Sequence, residues 1–170
     1  MKQNLIANFE KEKSFMAFPT NKNYEPLSEN RINIQEGPIL AVVVGQSGIG
    51  KSTEICQYAK TLREKKLPVR YVNMSIDQDQ AFSFQEFLQK TFGTPDENTI
   101  IKIIYENYTE KNIVPTLIVD NVHRCINSQG KIHEKLLDFL NTTCFQQLRM
   151  AVFMLASVNT AAYEIEQSIN

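Results

Sequence analysis

The sequence predicts an α/β fold: a parallel sheet with helices on both faces, in three layers. Three observations predict it. Ile39-Leu40-Ala41-Val42-Val43-Val44 is an apolar, largely β-branched run, as a strand buried on both faces reads, and it leads through a glycine-rich turn into a helical stretch. Further short apolar runs recur at Val69 to Met74, Thr116 to Asp120 and Met150 to Ala156. The segments between these runs carry apolar residues at helical spacing, so strands and helices alternate.

The chain of 170 residues suits one domain with an adequate core, and its 42% hydrophobic and 22% charged content is ordinary for a globular protein. A net charge of −1 gives no bulk field for nucleic acid or an anionic membrane. The small basic cluster Lys60, Arg63, Lys65 and Lys66 reads as a solvated helix end. Cys56, Cys125 and Cys144 show neither metal spacing nor a disulfide framework, which implies free thiols in a reducing compartment. Cys56 and Cys144 fall in helices and read as core packing. Met1-Lys2 is not followed by an apolar run of signal-peptide length, and no run is long enough to cross a bilayer. The expected location is intracellular, in the cytoplasm, with the nucleus left open.

The elements follow in order. Residues 1–36 read as an N-terminal arm, with a short helix within Asn4 to Phe18 and a loop rich in Asn, Glu and Pro from Pro19 to Glu36. Arg31-Ile32-Asn33-Ile34-Gln35 alternates polar and apolar, as a short edge strand does. Residues 37–170 form the core domain. After the strand at Ile39 to Val44 a helix runs from Lys51 to about Lys66 and stops before Leu67-Pro68. Ile76 to Gln80 is a polar connection. Ser83-Phe84-Gln85-Glu86 fits a capping box, followed by Phe87, Leu88 and Phe92 at helical spacing and Gly93 as the stop. That phenylalanine stripe is a core face rather than a partner groove. Thr94 as cap and Pro95 at the first position start the next helix, whose buried face is Ile100, Ile101, Ile103, Ile104 and Tyr108. Ile126 to Gly130 is a polar turn. Lys131 to Gln147 reads as an amphipathic helix with Ile132, Leu136, Leu137, Leu140 and Cys144 facing inward, and Thr160 to Asn170 as the start of one more.

Two motifs carry chemistry. Gly45-Gln46-Ser47-Gly48-Ile49-Gly50-Lys51-Ser52 fits Gly, four residues, Gly-Lys-Ser, the Walker A pattern or P-loop. Its glycines allow close backbone approach, so the loop amides form a concave anion site that extends through Thr53. In such a loop Lys51 reaches the β- and γ-phosphates and the Ser52 hydroxyl holds Mg²⁺. Thr116-Leu117-Ile118-Val119-Asp120 is a Walker B pattern, in which the Asp120 carboxylate holds the metal opposite Ser52.

With this pair of motifs the sequence resembles P-loop NTPases of the additional-strand branch, which includes AAA+ and STAND-type ATPases. The resemblance covers about Gly37 to Asn159. It implies a core strand order of 1-4-3-2, with the Walker A and Walker B strands separated, and ATP and Mg²⁺ as ligands. It also implies a polar sensor residue at the end of the last strand, which Ser157 or Asn159 matches, and an adenine contact from the arm, for which Tyr24 or a neighbour is the nearest match. Asn121 departs from the family, which usually carries Glu beside the Walker B Asp to polarise the attacking water. An amide orients water only by hydrogen bonds, which puts fast hydrolysis in doubt. His123 and Arg124 stand near enough to serve as a base, a γ-phosphate sensor or a partner contact; a loop histidine and a solvated arginine are the plainer readings. Arg149 precedes the sensor strand, which is not the place of an arginine finger. The fifth core strand and helical lid of AAA+ modules are expected to be missing from this chain.

Two functions follow. One is Mg²⁺-dependent ATP binding with slow hydrolysis, with Lys51, Asp120, Asn121 and Asn159 as the catalytic set, residues 45–53 holding the nucleotide, and Ser52 and Asp120 on the metal. The other is an essentially non-catalytic, nucleotide-dependent switch or assembly module, acting through a protein partner or a second copy of the chain. A small-molecule kinase ranks last, because no arginine-rich lid segment is present.

Overall fold

The computed structural model describes residues 37–45, 50–74, 82–125, 131–147 and 149–157; of His123, Arg124 and Ser157 it describes the backbone alone. The expectations for the arm, for Arg31 to Gln35, for the connection at Ile76 to Gln80, for the turn at Ile126 to Gly130 and for a helix after Thr160 lie outside these residues.

Four strands form one parallel sheet: β1 (Ile39–Gly45), β2 (Val69–Asn73), β3 (Thr116–Asp120) and β4 (Ala151–Ser157). Their order is β1-β4-β3-β2, so β4 separates the glycine-loop strand from the aspartate strand. The register pairs Gly45 with Ser157 and Asn73 with Asp120, which brings the C-terminal strand ends to one edge of the sheet.

The period of two along each strand sorts side chains between two cores. Helix α1 (Lys51–Glu64) covers one face, where Ile55, Ala59 and Leu62 meet Val69, Tyr71, Ile118, Phe153 and Leu155. On the other face Leu117, Val119, Val152 and Met154 meet α2 (Phe84–Phe92), α3 (Glu97–Lys111) and α4 (Glu134–Leu140). Phe92 and Phe139, at 1% and 0% exposure, pack edge to face at 5.8 Å in the middle of that second core. Helices on both sides of a parallel sheet make the three-layer α/β arrangement of the P-loop NTPase fold.

Local chemistry sets the helix ends, in places against expectation. Helix α1 stops at Glu64 because Lys66 turns left-handed at φ 59°, and the Lys66 and Leu67 amides return to Arg63 and Leu62 in a Schellman motif. Ser83 caps α2 as the capping box requires, accepting from the Glu86 amide at 3.4 Å. Helix α3 starts later than Thr94-Pro95 predicts. Asp96 is its cap, accepting from the Asn98 amide at 3.3 Å and from the Thr99 hydroxyl, while Thr94 is spent on the Asp96 amide. Its fully buried residues are Ile100 and Ile104; Ile101, Ile103 and Tyr108 are half-buried. Helix α4 begins at Glu134 rather than Lys131, because the His133 amide donates to Cys125 O at 2.9 Å and holds the preceding residues extended. Its continuation, Asn141–Gln146, is a π-helical stretch. There the buried Thr143 hydroxyl donates to Phe139 O at 2.8 Å, a back-bond that competes with the regular ladder. All three thiols are buried and unpaired, Cys125 included.

Candidate functional site

Helix α1 opens at Gly50, whose φ of 97° is left-handed and suits glycine. Gly50 has no side chain to cap this end, which is the positive end of the helix dipole. Lys51 folds back so that its Nζ donates to Gly45 O at 2.6 Å, tying the start of α1 to the end of β1. Gln46, Ser47, Gly48 and Ile49, the span between, lie outside the described residues. Lys51, Ser52 and Thr53 are half-buried.

Asp120 ends β3 on the face covered by α1 and is 8% exposed. A carboxylate this buried needs its lone pairs satisfied. Three donors do so. The Ser52 hydroxyl donates to Oδ2 at 2.7 Å, the Tyr71 hydroxyl donates to the same oxygen at 2.6 Å, and the Asn121 amide donates to Oδ1 at 2.8 Å. The structure therefore brings Ser52 and Asp120, 68 positions apart in sequence, into direct contact. Burial, followed by the bond to Asp120, drives the Tyr71 phenol far above its ordinary pKa. Burial, with the Asp120 charge adding to it, pushes the Cys56 thiol up to about 11.

Asn121 takes a left-handed φ of 56°, a conformation that asparagine tolerates better than most residues. Its amide nitrogen donates to Asn73 Oδ1 at 2.8 Å, so its side chain points to β2. The turn Val122–Cys125 follows at once and carries the backbones of His123 and Arg124. Ser157 sits in register with Gly45 at the site end of β4; Asn159 lies outside the described residues. Arg149, just before β4 and so at the opposite end of the sheet, stacks on Tyr105 at 3.9 Å from the ring centre. The sequence reading missed Tyr71 and Asn73. The available signal was their polarity at alternate positions of β2, which sends both to the α1 face beside Asp120.

Residues 34–159 match the sequence model of the AAA domain. The chain belongs to the AAA domain family. Membership supports nucleotide binding, with ATPase activity as the associated chemistry. Among solved structures, one similar chain comes from the HORMA:CdnC:Trip13 complex of E. coli MS115-1, at 18% identity and a TM-score of 0.43. The match covers 71% of this AAA domain chain and 42% of that one. No curated protein matches the sequence. Among the described residues of this AAA domain, no helix is long and apolar enough to cross a membrane.

Proposed function

We propose that this AAA domain binds ATP with Mg²⁺ through residues 45–53 and Asp120, and hydrolyses it slowly. The observation that carries the reading is the 2.7 Å bond from Ser52 to Asp120, which joins the open start of α1 to the end of β3. The donor set suits magnesium. A hydroxyl and a carboxylate are hard oxygen ligands, and this cation commonly takes one or two carboxylates, with phosphates and water completing its shell. When bound, the ion would neutralise charge on the phosphate oxygens.

The chain's own residues supply the rest. The positive end of α1 attracts anionic oxygens, and the Lys51 ammonium would exchange Gly45 O for them. Asp120 is oriented by its three donors. Asn121 offers no basic oxygen to activate water, and its amide is engaged with Asn73, which supports slow rather than fast turnover and a STAND-like character. The same observation favours the second reading, a nucleotide-dependent switch that a protein partner or another copy recognises. Residues 1–36 are the proposed arm and 37–170 the core. The unpaired thiols support an intracellular setting.

Single-turnover hydrolysis with protein in excess tests the reading, comparing the native chain with Asn121→Glu. The expected result is slow, Mg²⁺-dependent release of phosphate by the native chain, and release faster by about tenfold or more in the variant. Multiple turnovers by the native protein remove the switch-only reading. Tight Mg²⁺-dependent binding with no hydrolysis in either chain removes the ATPase reading.

A further inference from the structure

The Asp120 carboxylate offers about four acceptor directions, and three are occupied by donors of this chain. Two of the donors are dictated by the motifs: Ser52 belongs to the glycine loop, and the Asn121 amide is the next link of the chain. The third is not. Tyr71 stands on β2 in register with Ile118, two positions before the Asn73–Asp120 pair and on the same face. The two positions lie one strand spacing apart across the sheet and two residues apart along it, a gap that an aromatic side chain spans and a short one does not. The ring is 6% exposed and packed in the core beneath α1, so its hydroxyl is already aimed before anything binds.

We propose that Tyr71 is a positioning residue that fixes the Asp120 carboxylate and so sets the magnesium dependence of nucleotide binding. The inference rests on the proposed ATP and Mg²⁺ site. A carboxylate bonded at one oxygen only can rotate about its terminal torsion. The Asn121 amide holds Oδ1; on Oδ2 the Ser52 hydroxyl is the group that would turn to the ion, and the Tyr71 phenol is then the donor that still fixes that oxygen and its direction toward a metal-bound water. Groups that orient a metal-binding carboxylate from behind act through geometry rather than contact with substrate, and their loss typically weakens metal affinity by tenfold or more, at about 10–100-fold.

The test measures calorimetric affinity for ATP, in chelator and across a magnesium titration, for the native chain, Tyr71→Phe, Tyr71→Leu and Asp120→Asn. The two Tyr71 variants both lack the hydroxyl but differ in how well they fill the core. The expected result is a rise of about tenfold in the half-saturating Mg²⁺ concentration, the same for both, with affinity in chelator unchanged. Thermal melting reports packing separately and should fall further for the leucine variant. Tyr71→Phe behaving as native, or a loss equal with and without Mg²⁺, overturns the positioning role while the site reading stands, provided Asp120→Asn still abolishes the magnesium effect. If Asp120→Asn leaves the magnesium effect intact, the site reading fails and the role of Tyr71 fails with it.

Discussion

The two faces of the sheet are built from the same four strands, yet they do different work. The face away from α1 is aromatic: Phe84, Phe87, Phe92 and Phe139 fill it, and the buried Thr143 hydroxyl turns back on its own helix, to Phe139 O. The face under α1 begins in the same way, with Ile55, Ala59, Ile118 and Phe153, but turns polar toward the C-terminal strand ends, where Ser52, Cys56, Tyr71 and Asp120 gather. One core supplies stability and the other supplies stability plus a held carboxylate. The difference lies in a few positions: alternate residues of β2 and the last residue of β3. A parallel sheet keeps its strand ends in step, so a polar residue at those ends costs little burial and gains neighbours.

The contrast predicts that damage to the two faces can be separated. Phe139→Ala should give the largest effect. Removing a ring at 0% exposure leaves a cavity, and such truncations cost about 3–5 kcal/mol. Chemical denaturation should show that loss, while ATP affinity of the protein that remains folded stays native. A fall in affinity as large as the fall in stability would mean that the two cores are coupled and the division is wrong. Lys51→Ala should do the reverse. Its ammonium is half-buried and bonded to Gly45, and loss of a charged hydrogen bond to phosphate costs about 1.5–3 kcal/mol of binding. Calorimetry should record that loss, about 10–150-fold, with little change in melting temperature. Unchanged affinity would remove Lys51 from the phosphate site.

The sequence carried the strands and both motifs because they are local. Ile39 to Val44, Val69 to Met74, Thr116 to Asp120 and Met150 to Ala156 each announce themselves by composition, and all four are strands to within a residue. Strand order came from resemblance rather than from pattern, since pairing between distant segments leaves no periodic trace. What stayed hidden was non-local. Tyr71 meets Asp120 only because β2 and β3 pair in one register; a slip of one residue would send the ring to the other face. Ile132 has the right spacing for α4 to begin at Lys131, three residues early, yet the tie between His133 and Cys125 holds that stretch extended. Phe139 is absent from the expected core face, yet it is fully buried. The π-helical winding begins only after it, at Asn141, and the ordinary spacing of three from Leu136 already turns Phe139 inward.

Helix starts give the finest form of the comparison. Helices α2 and α3 pack on the aromatic face and have side-chain caps, Ser83 and Asp96, whereas α4 on that face starts at His133 without one. Helix α1 opens with Gly50, which has no side chain to cap with, and its start is the proposed anion site. A cap satisfies a stranded amide that water would otherwise serve, so its removal costs about 1 kcal/mol and acts on stability alone. Asp96→Ala should therefore lower the unfolding free energy by about 1 kcal/mol, somewhat more than a single bond suggests because the Thr99 hydroxyl also loses its acceptor. Denaturant titration of the variant measures it, and ATP affinity should not move. The opposite change completes the argument: Gly50→Asp would place a carboxylate at the start of α1, where anionic oxygens are proposed to sit, and a Cβ at a left-handed φ of 97°. Both Gly50→Asp and Gly50→Ala are expected to lose stability to that strain, and the aspartate variant is expected to bind ATP more weakly than the alanine one, because its charge repels the phosphates. If Gly50→Asp bound ATP as well as Gly50→Ala, the open start of α1 would be an ordinary helix end and not part of the site.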